Sequence, residues 1–354
     1  MPLTLGVVDQ SPVPNGGTAA DALRATLELA RAAERLGYSR YWLAEHHSTN
    51  SFAGSAPEVL VPVVAAATRT IRVGSGGVLL PHYSPLKVAE QFRVLETLFP
   101  GRIDLGLGRA PGGDPRTAQA LAYGRPSAGD PFPRQLEELS AWLANDDFAA
   151  DHPWRRVRAM PRGPGVPELW VLGSGGQGAL YAAEAGCAYS FAQFISGEDG
   201  AGVARAYRER FRPSARLAEP RAGAAVSVVC AETREEAARL ASSMEAWRRR
   251  IMRGFDRGIP SPEDAGAELE PGWAPPPPDT PGARVVAGEP PAVRDALLGL
   301  AERYGVEELM VVTVTHDPAA RLRSYELLAG AMGLEGRGTP RRDAAERAPQ
   351  VEPR

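Results

Sequence analysis

The sequence predicts one closed (β/α)8 barrel with insertions, and three observations carry that prediction. Apolar runs of strand length alternate with amphipathic stretches of helical length, the pattern of a parallel sheet covered by helices. The alternation repeats eight times, and a core of about 330 residues suits a barrel of eight such units carrying insertions. Finally, four of the five histidines fall just after the ends of strand runs, where a barrel keeps its mouth.

Residues 3–8 form the first strand and 19–36 its helix. Leu23, Leu27, Ala30 and Ala33 recur there at helical spacing, and Gly37 supplies the stop. The second strand is 40–44 and its helix 57–68. The third strand, 71–80, is interrupted by Gly74, Gly76 and Gly77; its helix, 84–99, opens with Ser84 as N-cap and Pro85 at the first helical position. The fourth strand is 103–108, followed after a looser region by a helix at 131–143. Strands at 168–172, 188–194, 224–230 and 308–315 are followed by helices at 177–185, 201–211, 235–252 and 319–332.

Two segments break the pattern. Residues 254–291 contain AELEPGWAPPPPDTPG, a composition unsuited to helix or inner strand. The segment joins the seventh helix to the eighth strand, so it is expected to begin on the bottom face, as a disordered loop or an extra subdomain. The tail 335–354 is charged and lacks apolar periodicity, so disorder is expected. The barrel domain is accordingly placed at 1–334.

A net charge of -3 gives no electrostatic footprint for nucleic acid or an anionic membrane surface. No apolar run has membrane-spanning length and no signal peptide opens the chain. Cys187 and Cys230 are too few for a disulfide scaffold or a cysteine metal cage. A cytoplasmic protein is expected. Arg248, Arg249 and Arg250 sit on a helical pattern and read as a solvated face.

The stretch YWLAEHH, Tyr41 to His47, ends the second strand. Strand alternation points Glu45 and His47 one way and His46 the other. The same face collects Asp9 and Gln10, His82, Arg109, Ser174, Gln193 and His316. The run Gly173-Ser-Gly-Gly-Gln-Gly178 matches G-x-G-x-x-G, but in the fifth of eight units rather than the first. It reads as a phosphate site at a helix N-terminus or as a tight turn that needs glycine. Arg109 reads as a two-pronged phosphate clamp or as a salt bridge at the rim. Gly76 and Gly77 mark a bulge, a flat ligand platform or packing against a bulky neighbour. No H-E-x-x-H or paired-cysteine spacing points to a metal, and no G-x-S-x-G elbow to a serine hydrolase.

Three blocks carry a resemblance: WLAEHH, IRVGSGGVLLPHYSPLKVAEQFRVLETLFPGRIDLGLGR and ELWVLGSGGQGALYAAEAG. Together they resemble the bacterial luciferase-like flavin-dependent monooxygenases, whose fold is a (β/α)8 TIM barrel. The resemblance implies reduced FMN supplied by a separate NAD(P)H-flavin reductase, with O2 and an organic substrate. Within it, His46 and Glu45 are the catalytic pair. Gly76 and Gly77 face the flavin across a non-proline cis peptide, and Arg109, Ser174, Gly175 and Gly178 hold the phosphate. A homodimer through the second and third helices and a biosynthetic oxidation of an apolar substrate are further expectations; Phe52 and Tyr83 at the mouth suggest the apolar preference. The alternative on the same scaffold is hydride transfer with the deazaflavin F420, and a second alternative is a flavin-binding protein without catalysis.

Overall fold

The computed structural model describes residues 3–110, 112–123 and 129–336. In chain order its elements are β1 (Thr4–Asp9), α1 (Ala19–Leu36), β2 (Arg40–Leu43), α2 (Pro57–Ala67), β3 (Arg72–Leu79), α3 (Pro85–Leu98), β4 (Ile103–Gly108), α4 (Pro115–Leu121) and α5 (Phe132–Ala144). There follow β5 (Glu168–Gly173), α6 (Gly176–Glu184), β6 (Ala188–Ala192), α7 (Gln193–Ser196), α8 (Ala201–Arg210), β7 (Ala222–Cys230) and α9 (Arg234–Met252). The chain continues with α10 (Pro262–Glu268), β8 (Val285–Gly288), α11 (Pro290–Tyr304), β9 (Glu308–Val312) and α12 (Pro318–Met332).

Strands β1 to β6 pair in sequence, β6 pairs β7, β7 pairs β9 and β9 returns to β1, all in parallel. Eight strands thus close a barrel, as the sequence predicts. Local chemistry sets the helix boundaries. The Thr18 hydroxyl accepts from the Asp21 amide at the start of α1, and Gly37 closes that helix in the left-handed region. Ser84 holds the N-cap position of α3, although its hydroxyl makes no capping bond.

Strand alternation splits β2 between two layers. Tyr41 and Leu43 join the core between barrel and helices, whereas Trp42 joins an inner cluster with Val8, Trp170, Ala225 and Met310. Beneath those tryptophans the first residues of the strands build a charged plug. Arg40 donates to Glu308 at 2.6 Å and to Asp104 at 2.7 Å, and Arg72 also pairs with Asp104. Arg221 joins Glu168 to Glu308. The Trp42 and Trp170 indoles donate to Asp104 and Glu168, and Arg40 lies over both rings. Burying ions this way is tolerable because nearly every donor and acceptor is matched.

The 254–291 segment departs from its expectation in two respects. It contains regular structure: Ser261 caps α10 with Pro262 at its first position, and β8 extends the sheet along the protruding end of β7. The Pro275 to Pro278 run itself carries no helix or strand. The segment also lies at the mouth, not the bottom. Ile259 exchanges backbone hydrogen bonds with Val13 and Asn15 beyond β1, and Asp256 accepts from Asn50 and Ser51 beyond β2. The reason is that α9 packs on α10 and β8 instead of joining the outer ring. The ring position between α8 and α12 belongs to α11, a helix the sequence reading left unassigned. Of the tail 335–354, only residues 335 and 336 are described; the disorder expected beyond them lies outside the described residues.

Candidate active site

A cavity of about 1080 Å³ opens above Trp42 at the C-terminal ends of the strands. Val8, Trp42, Gly76, Leu172, Ser190 and Ala225 bring the inner faces of six strands to it, and its lining is mostly apolar. His46 and Arg109 both line this one cavity.

His46 follows β2, held by its amide donating to the Gly54 carbonyl at 2.8 Å. Its ring lies against Phe52, with centroids 4.7 Å apart, and the Gln10 amide nitrogen is 3.5 Å from Nε2. Nδ1 is buried without a hydrogen-bond partner among the described residues. Burial, reinforced by the nearby His47, lowers its pKa to about 4. The imidazole is therefore neutral at physiological pH rather than resting as a cation.

Glu45 points away from His46, as alternation requires, but it has no free oxygen. Its Oε1 accepts from His47 at 2.6 Å and from Tyr83 at 2.8 Å, and its Oε2 accepts from the Leu79 amide at 2.9 Å. These contacts tie the ends of β2 and β3 together. Burial and then the adjoining Glu45 charge push the Tyr83 pKa upward.

Arg109, half-exposed at the end of β4, pairs with Asp130 at 2.9 Å. Asp130 also accepts from Tyr181 and from the Phe132 amide. Burial tends to raise the Asp130 pKa, but those hydrogen bonds, led by Arg109, hold it below the usual carboxylate range. Arg109 thus forms the rim salt bridge, and it also lines the cavity. Ser174, Gly175 and Gly178 also line the cavity, on the neighbouring strand end where β5 turns into α6. The Tyr189 hydroxyl donates to the Gly173 and Gly175 carbonyls, and no side chain caps the amides of the first turn.

The glycines fall into two kinds. A Cβ on Gly76 would come within 2.8 Å of the Trp42 Cβ, and one on Gly77 within 2.7 Å of the Gly106 carbonyl. Close packing therefore fixes these two, Gly76 against Trp42 and Gly77 against the Gly106 backbone, although both also line the cavity. The predicted bulge is present, with a register shift between Gly76 and Val78 and a cis peptide joining Gly76 to Gly77. At Gly175 and Gly176 a Cβ would meet nothing within 4 Å. Packing therefore does not dictate glycine at these two positions.

Other expected mouth residues scatter. Gln10 lines the cavity, whereas Asp9 is buried against Arg321 and Tyr41. Gln193 binds Tyr304 and the Ala283 carbonyl. His82 packs edge-on to His47, outside the cavity lining, and His316 does not line the cavity either. Phe52 is buried between His46 and Trp247, and Tyr83 is engaged by Glu45, so neither supplies the apolar wall. Leu79, Leu172, Phe194 and Ile195 do. Asp130 and Ser190 also line the cavity and went unnoticed in the sequence: Asp130 lies in an aperiodic stretch, and Ser190 is one polar residue in an apolar strand. Among the described residues no group of three or more His, Cys, Asp or Glu side chains is placed to hold a metal, and no helix is long and apolar enough to cross a membrane.

The family model described as luciferase-like monooxygenase matches residues 3–308. The chain is 46% identical to the uncharacterized protein YwcH of Bacillus subtilis, over 93% of this chain and 99% of that one. It is 37% identical to an N-acetyl-S-alkylcysteine monooxygenase of the same organism, over 93% and 98%. The crystal structure of apo-MsnO8 superposes with a TM-score of 0.86 at 43% identity, covering 96% of this chain and 99% of that one. The chain belongs to the luciferase-like monooxygenase family and is an oxidoreductase of that class.

Proposed function

We propose that this monooxygenase binds reduced FMN in the mouth cavity and transfers one oxygen atom of O2 to a small, largely apolar organic substrate. The observation that carries the reading is the shared cavity: His46 and Arg109 line it together with a glycine-backed helix N-terminus that no side chain caps. The residues present suit a flat ring with an anionic tail. Gly76 and Gly77 offer backbone rather than side chain to the ring. Arg109, Ser174, Gly175 and Gly178 offer a guanidinium, a hydroxyl and helix amides to a phosphate. When bound, reduced FMN would supply the electrons that activate O2, and a separate NAD(P)H-flavin reductase would deliver it.

The chain's own residues do the rest. His46, neutral and with Nδ1 unengaged, takes or returns a proton at the reacting centre. Glu45 is a positioning residue, fixing His47, Tyr83 and the Leu79 amide around the mouth. Leu172, Phe194 and Ile195 exclude water and receive the apolar part of the substrate. The relative that by its name acts on N-acetyl-S-alkylcysteine supports a small organic substrate, and a biosynthetic oxidation is the setting we favour.

Oxygen uptake with reduced FMN is the test. Substrate-dependent consumption of one O2 per product supports the reading. Turnover that persists anaerobically with F420 replaces it with the deazaflavin alternative. The same reading makes the protein a homodimer through α2 and α3, which expose Val59, Val63, Val94 and Leu98. Sedimentation is expected to give a dimer for the wild type and a monomer for Val63→Glu/Leu98→Glu.

A further inference from the structure

We propose that a second chamber beside the mouth holds a carboxylate of the substrate, so that the enzyme selects apolar organic acids; this rests on reading the mouth as the reaction chamber. The second cavity, about 220 Å³, lies between β7, α9 and β8, with Ser227, Val229, Glu245, Arg248, Arg284 and Val314 on its walls. It has room for a carboxylate and a few carbons.

β7 runs from one chamber to the other. Ala225 lines the mouth, while Ser227 and Val229 line the second cavity. Residues two apart share a strand face and lie about 7 Å apart. The α7 segment links the chambers as well: Ile195 lines the mouth, and Arg284 donates to the next carbonyl, Ser196, at 3.5 Å. The two chambers are thus neighbours along β7, and the proposed substrate spans them.

The charge in the second chamber is unbalanced. Arg248 pairs with Glu245 at 2.8 Å, but the other oxygen of that carboxylate is claimed by Arg249 at 3.0 Å. Among the described residues no carboxylate pairs with Arg284. Burial lowers the Arg248 pKa; Glu245 opposes this, and the facing Arg284 guanidinium adds to it. A bound carboxylate would relieve that repulsion and accept from both guanidinia in the geometry arginine favours. The arginine run that reads as a solvated face in the sequence is thus divided. Arg249 and Arg250 pair with Glu270 and Glu268, whereas Arg248 lines the cavity.

The test uses octanoate and 1-octanol as probes, titrated calorimetrically into the full chain with and without FMN. The wild type is expected to bind octanoate at least tenfold more tightly than octanol. Arg248→Gln and Arg284→Gln are each expected to lower that preference about tenfold while leaving FMN affinity unchanged, and Arg109→Ala is expected to keep it. Arg284 is exposed, so its variant folds. Equal affinity for the two probes, no octanoate binding, an unchanged preference in both variants, or loss of the preference in Arg109→Ala would overturn the proposal. Octanoate preference without FMN binding would sink the reading of the mouth and leave the chamber standing; FMN binding without octanoate preference would do the reverse.

Discussion

The two ends of the barrel use charged side chains in opposite ways. At the N-terminal ends of the strands, Arg40 is buried at 3% exposure and engages Asp104, Glu308 and Glu168. At the C-terminal ends, Gln10 Oε1, His46 Nδ1 and Ser190 Oγ are buried without partners among the described residues, and Arg109 stands half-exposed beside a carboxylate. An unmatched buried polar atom costs about 1–3 kcal/mol. The plug carries no such cost on Arg40, Asp104, Glu168 or Glu308, and its role is to hold the strands in register. The mouth carries it on three residues that line one cavity, where a ligand can supply the missing partners. The mouth cavity thus gathers three of the unmatched buried polar atoms among the described residues.

Four substitutions or conditions sharpen that contrast. Arg40→Met should be the most damaging, because it leaves buried carboxylates unpaired; a loss of about 3–5 kcal/mol in denaturant unfolding is expected. His46→Ala should lower kcat about 10²- to 10⁴-fold while moving the unfolding midpoint far less than Arg40→Met does. An equal loss of stability in the two variants would erase the distinction between the ends. Arg109→Ala should weaken FMN binding about 10- to 100-fold with near-native unfolding, as read by flavin fluorescence.

The smallest effect is a pH dependence. The pKa of His46 is lowered to about 4 in the fold from an ordinary 6.5, so the unfolded chain binds the extra proton first. Its contribution to stability is complete above pH 6.5 and is lost as pH falls toward 4. Between pH 7 and pH 5 this amounts to about 2 kcal/mol. His46→Gln should flatten that part of the curve, and identical curves for the two proteins would show that the imidazole is not held neutral.

Most of the architecture could be read from the chain because its units are local. The apolar strand runs, the Thr18 cap, the Gly37 stop and the Ser84-Pro85 start each announce themselves within a few residues. The excursion at 254–291 escaped because α9 has every mark of an ordinary ring helix, and only tertiary packing sends it over the mouth. Once α9 held that place, the periodic run Val293, Leu297, Leu300, Tyr304 of α11 had no role to fill, though its proline start and Gly305 stop were legible. The site shows the same limit. His46 and Arg109 could be found because strand ends are countable. That Glu45 is saturated, and that Asp130 answers Arg109, depends on contacts between segments far apart in sequence, which no local pattern encodes. Glycine itself was ambiguous: packing dictates Gly76 and Gly77, while Gly175 and Gly176 face open space.

The central claim is that the unsatisfied mouth accepts a flat ring and its phosphate. Comparing the binding of FMN with that of riboflavin, which lacks the phosphate, tests it most directly. The wild type is expected to prefer FMN at least tenfold, and Arg109→Ala to lose most of that preference while still binding riboflavin. Equal affinity for the two flavins in the wild type, or binding of neither, would contradict the claim.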